Sequence, residues 1–196
     1  MNNKTRLKLV ASFEALISQP TKDVNTLTVQ LLAKEAGINR VTFYRQFTDM
    51  LDFLKWYILK DFIFHYQGAS SFTFKDAYEQ IFTFIRRQRK FLYFIFTSSY
   101  GDSIKEFVLS EVYAYQIRNF NHLDTQKVLT HDEVHSHASF YAAGITHNIL
   151  SYILDDKIFQ IDPYQYSVYQ LRIVKEYVER AIARKNAKLY DGLKES

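Results

Sequence analysis

Cysteine is absent from this chain of 196 residues. That removes disulfides, thiolate nucleophiles and cysteine-ligated zinc. It agrees with a reducing compartment, and a cytoplasmic location is the expectation. Glycine and proline are scarce, at 5 and 2, so long helices joined by few irregular loops are expected. Long apolar runs are missing too. The longest, FLYFIF at 91–96, falls far short of the roughly 20 apolar residues that span a bilayer. The opening MNNKTRLKLV lacks the apolar core of a secretory signal, and no membrane partner is expected. Catalytic motifs are also missing: there is no GxGxxG, phosphate-binding loop, GxSxG, HExxH or evident triad. The expectation is a protein that is not an enzyme and carries no cofactor.

The 6 histidines raise the question of a metal. His131 and His135 stand one helical turn apart, with Glu133 and His137 close by, a spacing that zinc tolerates. Yet His131 falls at the start of its helix, and histidine pairs at this spacing are common on surfaces. No metal site is expected. His147 and Asn148 are expected as a buried, hydrogen-bonded pair.

What the chain does contain is apolar and aromatic content, 47% and 17%, enough for a sizeable core. Its formal net charge is +4 and its pI about 9.0. The placement of the basic residues is more telling. Lys4, Arg6, Lys8, Lys34, Arg40, Arg45, Lys55 and Lys60 all lie in the first third, which suits a nucleic-acid partner. A generic solvated surface is the alternative. Lys4 and Arg6 would then either follow phosphates or sit on a solvated helix end.

The stretch TVQLLAKEAGINRVTFYRQF at 28–47 organises the rest. Val29, Leu32, Ala33 and Ala36 recur at i, i+3, i+4 and i+7, one apolar face of a helix. Thr28 precedes that face, where a hydroxyl caps free backbone N–H groups. Gly37 follows as a stop, because a residue without Cβ takes the left-handed conformation cheaply. Asn39 then caps a second helix over 40–46. Phe43 and Phe47 share its inner face, while Arg40, Thr42, Arg45 and Gln46 lie largely elsewhere. This is the layout of a helix-turn-helix, whose second helix enters the DNA major groove. Arg bonds guanine bidentately, Gln reads adenine and Thr meets a thymine methyl. Two bundle helices with a solvated polar face are the alternative.

The residues themselves sharpen the comparison. LTVQLLAKEAGINRVTFYRQFTDMLDFL at 27–54 resembles the N-terminal signature of the TetR family of bacterial transcriptional regulators, above all in AKEAGI and TFYRQF. The similarity spans about 5–60. NRVTFYRQF followed by DFLKW further resembles a subgroup in Gram-positive bacteria that includes the dihydroxyacetone-operon regulator. The resemblance implies an all-α fold: a three-helix head with a helix-turn-helix, joined to a helical-bundle body that binds a ligand and dimerises. It implies base contacts by Arg40, Val41, Thr42 and Gln46, and phosphate contacts by Thr28, Asn39, Tyr44 and Arg45. The family's usual lysine is replaced by Met50, and Lys55 one turn on is the candidate to compensate.

In chain order, a first helix is expected over 4–18 with Leu9, Phe13, Leu16 and Ile17 inward, then a polar connector over 20–25. A linking helix is expected over about 50–66. QGASSFT at 67–73 is the clearest composition break. The division is therefore a DNA-binding domain over 1–49, the linking helix, and a ligand-sensing and dimerisation domain over 67–196. In the body, 75–97 reads as helix and RRQRK at 86–90 as a solvated stretch or an anion contact. SIKE at 103–106 and THDE at 130–133 read as capping boxes. Further helices are expected over 104–119, from 134 to 153 and from Pro163 on, the last with Asp162 as cap.

Body aromatics serve either as ordinary core or as a pocket for an effector. Phe82, Phe96, Tyr100, Phe107, Tyr115 and Tyr141 are the candidate lining. The last two long helices are expected to pair, and the resemblance implies that they meet a twofold mate through Tyr141, Ile145, Ile149, Ile173 and Tyr177. The functional expectation is a homodimeric, sequence-specific repressor. It would bind a near-palindromic duplex and be released by a small effector. The alternative is a module that senses a ligand or partner protein with weak or lost DNA binding.

Overall fold

The structure is a computed structural model. It describes the backbone of residues 3–18, 27–66, 74–124, 127–169, 180 and 183, and their side chains outside 61–78 and 122–123. Every regular element among the described residues is helical: α1 (Asn3–Ser18), α2 (Val29–Glu35), α3 (Arg40–Tyr44), α4 (Met50–Tyr66), α5 (Phe74–Thr97), α6 (Gly101–Leu123), α7 (His131–Leu154) and α8 (Asp156–Phe159). A further helix, α9, runs over 163–169. The all-α class is thus the one expected. None of these helices is long and apolar enough to cross a membrane.

The chain packs as two compact units. The first comprises Met1–Phe72 with Gln88–Phe107, and the second Thr73–Arg87 with Val108–Ser196. In the first, α1 turns Leu9, Phe13, Leu16 and Ile17 inward, the face expected from its periodicity. They meet Leu32 and Ala33 of α2, Phe43 of α3, and Phe53, Leu54 and Tyr57 of α4 in a buried core. Phe53 lies edge-on to Phe13 at 5.4 Å and to Phe47 at 5.3 Å. Tyr57, also buried, donates its hydroxyl to Glu14 Oε1 at 2.9 Å and so ties α4 to α1.

Local chemistry sets most helix ends. Asp49 caps α4, accepting from the Asp52 N–H at 2.7 Å, while the Asp52 carboxylate accepts from the Thr48 N–H at 2.9 Å. Thr130 and Glu133 form the expected capping box at the start of α7. Asp162 accepts from the N–H groups of Tyr164 and Gln165 at 3.0 and 3.3 Å, and Pro163 follows it in the first helical position. The SIKE box does not cap a helix. α6 begins earlier, at Gly101, which lies so close to α5 that an added Cβ would sit 2.3 Å from the Phe96 carbonyl oxygen. α6 also runs on to Leu123, where the buried Asp124 carboxylate takes up the N–H groups of Val128 and Leu129. The break after α7 contains a short helix, α8, capped by Asp155. His147 is exposed, with Nε2 3.4 Å from Ser151 Oγ, so the expected buried pair does not form.

Gly37 carries a first prediction. Its φ is +63°, in the left-handed region, and nothing lies within 4 Å of where a Cβ would be. Gly37→Ala is therefore strained by the backbone and not by a clash. It is expected to cost about 1–2 kcal/mol in urea unfolding. An unchanged unfolding midpoint would show that this turn tolerates a side chain.

Candidate nucleic-acid interface

The candidate face is built by α2, the turn after it and α3. Thr28 stands in extended conformation before α2, and its Oγ1 accepts from the Leu31 N–H at 3.2 Å. At the other end Gly37 N–H bonds the Lys34 carbonyl at 3.1 Å and Ile38 N–H reaches back to Ala33 at 3.0 Å. This pair of bonds closes a helix through a left-handed glycine and satisfies carbonyls that the helix leaves free. Asn39 follows at once as cap of α3. Its Oδ1 accepts from both the backbone N–H and the hydroxyl of Thr42, at 2.7 and 2.9 Å. The chain direction between the two helices is thus fixed by hydrogen bonds local to 28–42.

α3 is short, Arg40–Tyr44, and closes in a tight turn through Gln46 N–H to the Phe43 carbonyl at 2.8 Å. Phe43 and Phe47 are buried, as their spacing predicts. Arg40, Val41, Tyr44 and Arg45 are exposed, Val41 at 60% and Tyr44 at 54%. Thr42 is half-buried, with its hydroxyl spent on Asn39. Gln46 is also half-buried, and its Oε1 is enclosed without a hydrogen-bond partner.

Two other residues differ in their placement. Met50 is buried at 3% exposure, so it is a core side chain at the start of α4. Lys55 holds its ammonium 5.3 Å from the centre of the Phe107 ring, off the α3 face. Arg6 is neither on a solvated end nor extended into solvent. Its guanidinium lies 5.0 Å from the ring centres of both Phe47 and Trp56 and donates to the Gln46 carbonyl at 3.5 Å. No local pattern could have revealed this, because the contact joins residues 40 apart.

The expected pocket residues divide between the units. Phe96, Tyr100 and Phe107 belong to the first, Phe82, Tyr115 and Tyr141 to the second. Phe82 packs edge-on against Tyr152 and Tyr166, at 5.1 and 4.8 Å, while Tyr141 packs with Phe120 and Phe140. Burial raises the pKa of the Tyr152 hydroxyl, against the lowering effect of Arg86, and burial followed by Tyr152 raises that of Tyr166. The RRQRK run is partly structural. Arg86 reaches the Tyr152 hydroxyl and the Ile161 carbonyl, both at 3.4 Å, and Lys90 reaches the Ser18 carbonyl at 3.4 Å.

Of the expected dimer residues, Tyr141, Ile145 and Ile149 are buried within the chain at 6, 5 and 8%. Ile173 and Tyr177 lie outside the described residues. α7 turns a different face outward: Ser136, Ser139, Phe140, Ala143, Gly144 and His147. His131 and His135 do lie together, ring centres 4.0 Å apart and tilted at 38°, and His135 Nδ1 pairs with the Tyr113 hydroxyl. Among the described residues no group of three or more histidines or carboxylates could hold a metal ion.

Compared with known proteins, the chain resembles the solved structure of the dihydroxyacetone kinase operon activator DhaS. The TM-score is 0.62, with 89% of this chain and 96% of that one covered, at 15% sequence identity. At that identity the likeness is one of fold. No family model matches the sequence, and no curated protein matches it.

Proposed function

We propose that this protein is a sequence-specific DNA-binding transcriptional regulator that acts as a homodimer. The observation that carries the reading is the α3 face. A short helix, capped by Asn39 and anchored through Phe43 and Phe47, holds Arg40, Val41, Tyr44 and Arg45 outward together. An exposed valine and tyrosine between two arginines make sense on a groove-facing surface. There arginine meets guanine, and an apolar side chain meets a thymine methyl. Arg40, Val41, Thr42 and Gln46 are the base-reading set. Because the Thr42 hydroxyl is engaged, its methyl is the group left for a thymine. Thr28, Asn39, Tyr44 and Arg45 supply phosphate contacts. In this reading residues 1–49 are the DNA-binding head, 50–66 the link, and 67–196 the effector-sensing and dimerising body.

The dimer uses the outward face of α7, around Phe140 and Gly144. A repressor released by an effector and an activator assisted by one share this machinery. Which of the two applies depends on where the bound site lies relative to the promoter. Either way, an effector acts only through unequal affinity for the two states.

The test is selection from a random duplex library with purified protein. The expected product is a near-palindrome bound with a steep negative salt slope. Arg40→Ala is expected to cost about 1–3 kcal/mol on the selected duplex and to relax preference at one base position. Unchanged affinity and an unchanged motif would remove Arg40 from the reading set.

A second reading has one observation in its favour. With Met50 in the core and Lys55 held over Phe107, neither extends a cation beside α3. A module that senses a ligand or partner protein, with weak DNA binding, is consistent with that. Selection that recovers no motif would favour it.

A further inference from the structure

We infer that Arg6 is a positioning residue for α3, setting base selectivity without touching DNA. The inference rests on the DNA-reading proposal above. α3 is too short to hold its own direction, because a helix of this length has few internal hydrogen bonds and free carbonyls at its C-terminal end. Its N-terminal end is held by Asn39. The turn that closes it, at Gln46 and Phe47, is held from another helix. The Arg6 guanidinium, on α1, lies 5.0 Å from the ring centres of both Phe47 and Trp56, and donates to the Gln46 carbonyl at 3.5 Å.

Only a planar cation combines these contacts. A guanidinium stacks on aromatic faces and keeps N–H groups in its own plane for a carbonyl, whereas an ammonium is a compact point charge. A cation at a helix C-terminus also complements the partial negative charge there. Phe47 and Trp56 are themselves 5.3 Å apart, so Arg6 joins α1, the end of α3 and α4 at one point. Arg6 is half-buried and its Nε is enclosed, which places the side chain within the head. Moving it shifts the carbonyl end of α3, and with it the angle at which Arg45 and Gln46 meet the groove.

The experiment compares wild-type protein with Arg6→Met and Arg6→Lys. Each full-length protein is titrated with the wild-type-selected duplex and with a scrambled duplex across a salt series, after a thermal melt. Arg6→Met is expected to lower the ratio of specific to non-specific affinity by about tenfold, the size of one mismatched base pair. Non-specific affinity and its salt slope are expected to stay as in wild type. Arg6→Lys keeps the charge but not the plane, so it is expected to lose selectivity as well. It carries the test if the methionine variant does not fold.

Three results would overturn the inference. Equal loss on both duplexes, with a salt slope smaller by about 0.9, would make Arg6 a phosphate contact. Full selectivity in Arg6→Lys would show that charge alone suffices. Unchanged binding in both variants would remove any role. A wild-type protein that selects no motif would overturn the DNA reading, and this inference with it.

Discussion

Phe53→Ala is expected to destabilise the first unit by about 3–5 kcal/mol, the range for truncating a fully enclosed aromatic. Phe53 has no exposed surface. Its ring centre lies 5.4 Å from Phe13, 5.3 Å from Phe47, and 6.3 Å from each of Phe43, Trp56 and Tyr57. Those partners come from α1, α3, α4 and the turn after α3, so no single helix can shift to fill the space. The loss combines the transfer energy of the ring with the lining contacts left unmade. It is a large share of the total stability of an ordinary domain, about 5–15 kcal/mol. Urea unfolding of the full chain, followed by tryptophan fluorescence, reads it directly, since Trp56 packs at the same cluster. Phe53→Leu keeps most of the volume and is expected to cost less. A Phe53→Ala protein within about 1 kcal/mol of wild type would mean that the site collapses freely. The ring cluster would then not be what holds α3 to the head. On the proposed DNA-reading function, the same contacts matter: Phe43 and Phe47 fix the inner side of α3, so a loosened cluster would blur base selectivity before it abolished folding.

The parts of this molecule that were legible in the sequence are those decided by neighbours in the chain. Thr28, Gly37 and Asn39 act over three or four residues, and each does in the structure what its local chemistry implies. The inner faces of α1 and α3 were legible for a related reason. A helix with charged residues on one side states which side is wet. What could not be read depends on distant partners. Gly101 starts α6 where the chain passes against the Phe96 carbonyl, and the SIKE pattern downstream carries no trace of that. Arg6 resembles any basic residue near an N-terminus until Phe47 and Trp56 close around it. α7 is the clearest case. From Val134 to Leu154 it contains no Asp, Glu, Lys or Arg. Its stripe of Val134, Ala138, Tyr141, Ala142, Ile145, Ile149 and Ile153 follows from spacing alone and is buried, but spacing does not say whether Tyr141, Ile145 and Ile149 are covered by their own chain or by a second copy. Packing turned them inward.

That same absence of charge leads to the other large effect. On the proposed homodimeric reading, Phe140→Glu is expected to convert the dimer into a monomer and to weaken binding to a near-palindrome by about 10²–10⁴-fold, the avidity lost when two linked half-sites become independent. Phe140 is 74% exposed, and one turn on, at Gly144, nothing lies within 4 Å of an added Cβ. An exposed glycine inside a helix costs about 1 kcal/mol relative to alanine, so its presence asks for a compensating contact. Phe140 and Gly144 share a face with Ser136, Ala143 and His147. A projecting ring and an open position without a side chain on one face are self-complementary. In the proposed dimer a twofold axis there would let Phe140 of each copy cover the open position at Gly144 of the other, the residue-to-residue reciprocity that an isologous interface requires. A glutamate at that point would leave an unpaired charge from each copy in a dry contact. Gly144→Leu would occupy the open position from the other side and is expected to give the same outcome. Sedimentation equilibrium, paired with binding to a single half-site, separates the effects. The expected result is a monomer that keeps wild-type affinity for the half-site and loses the gain from the second. If Phe140→Glu remains a dimer and binds the full site as before, the two copies meet elsewhere, and the exposed face of α7 is free for a different partner.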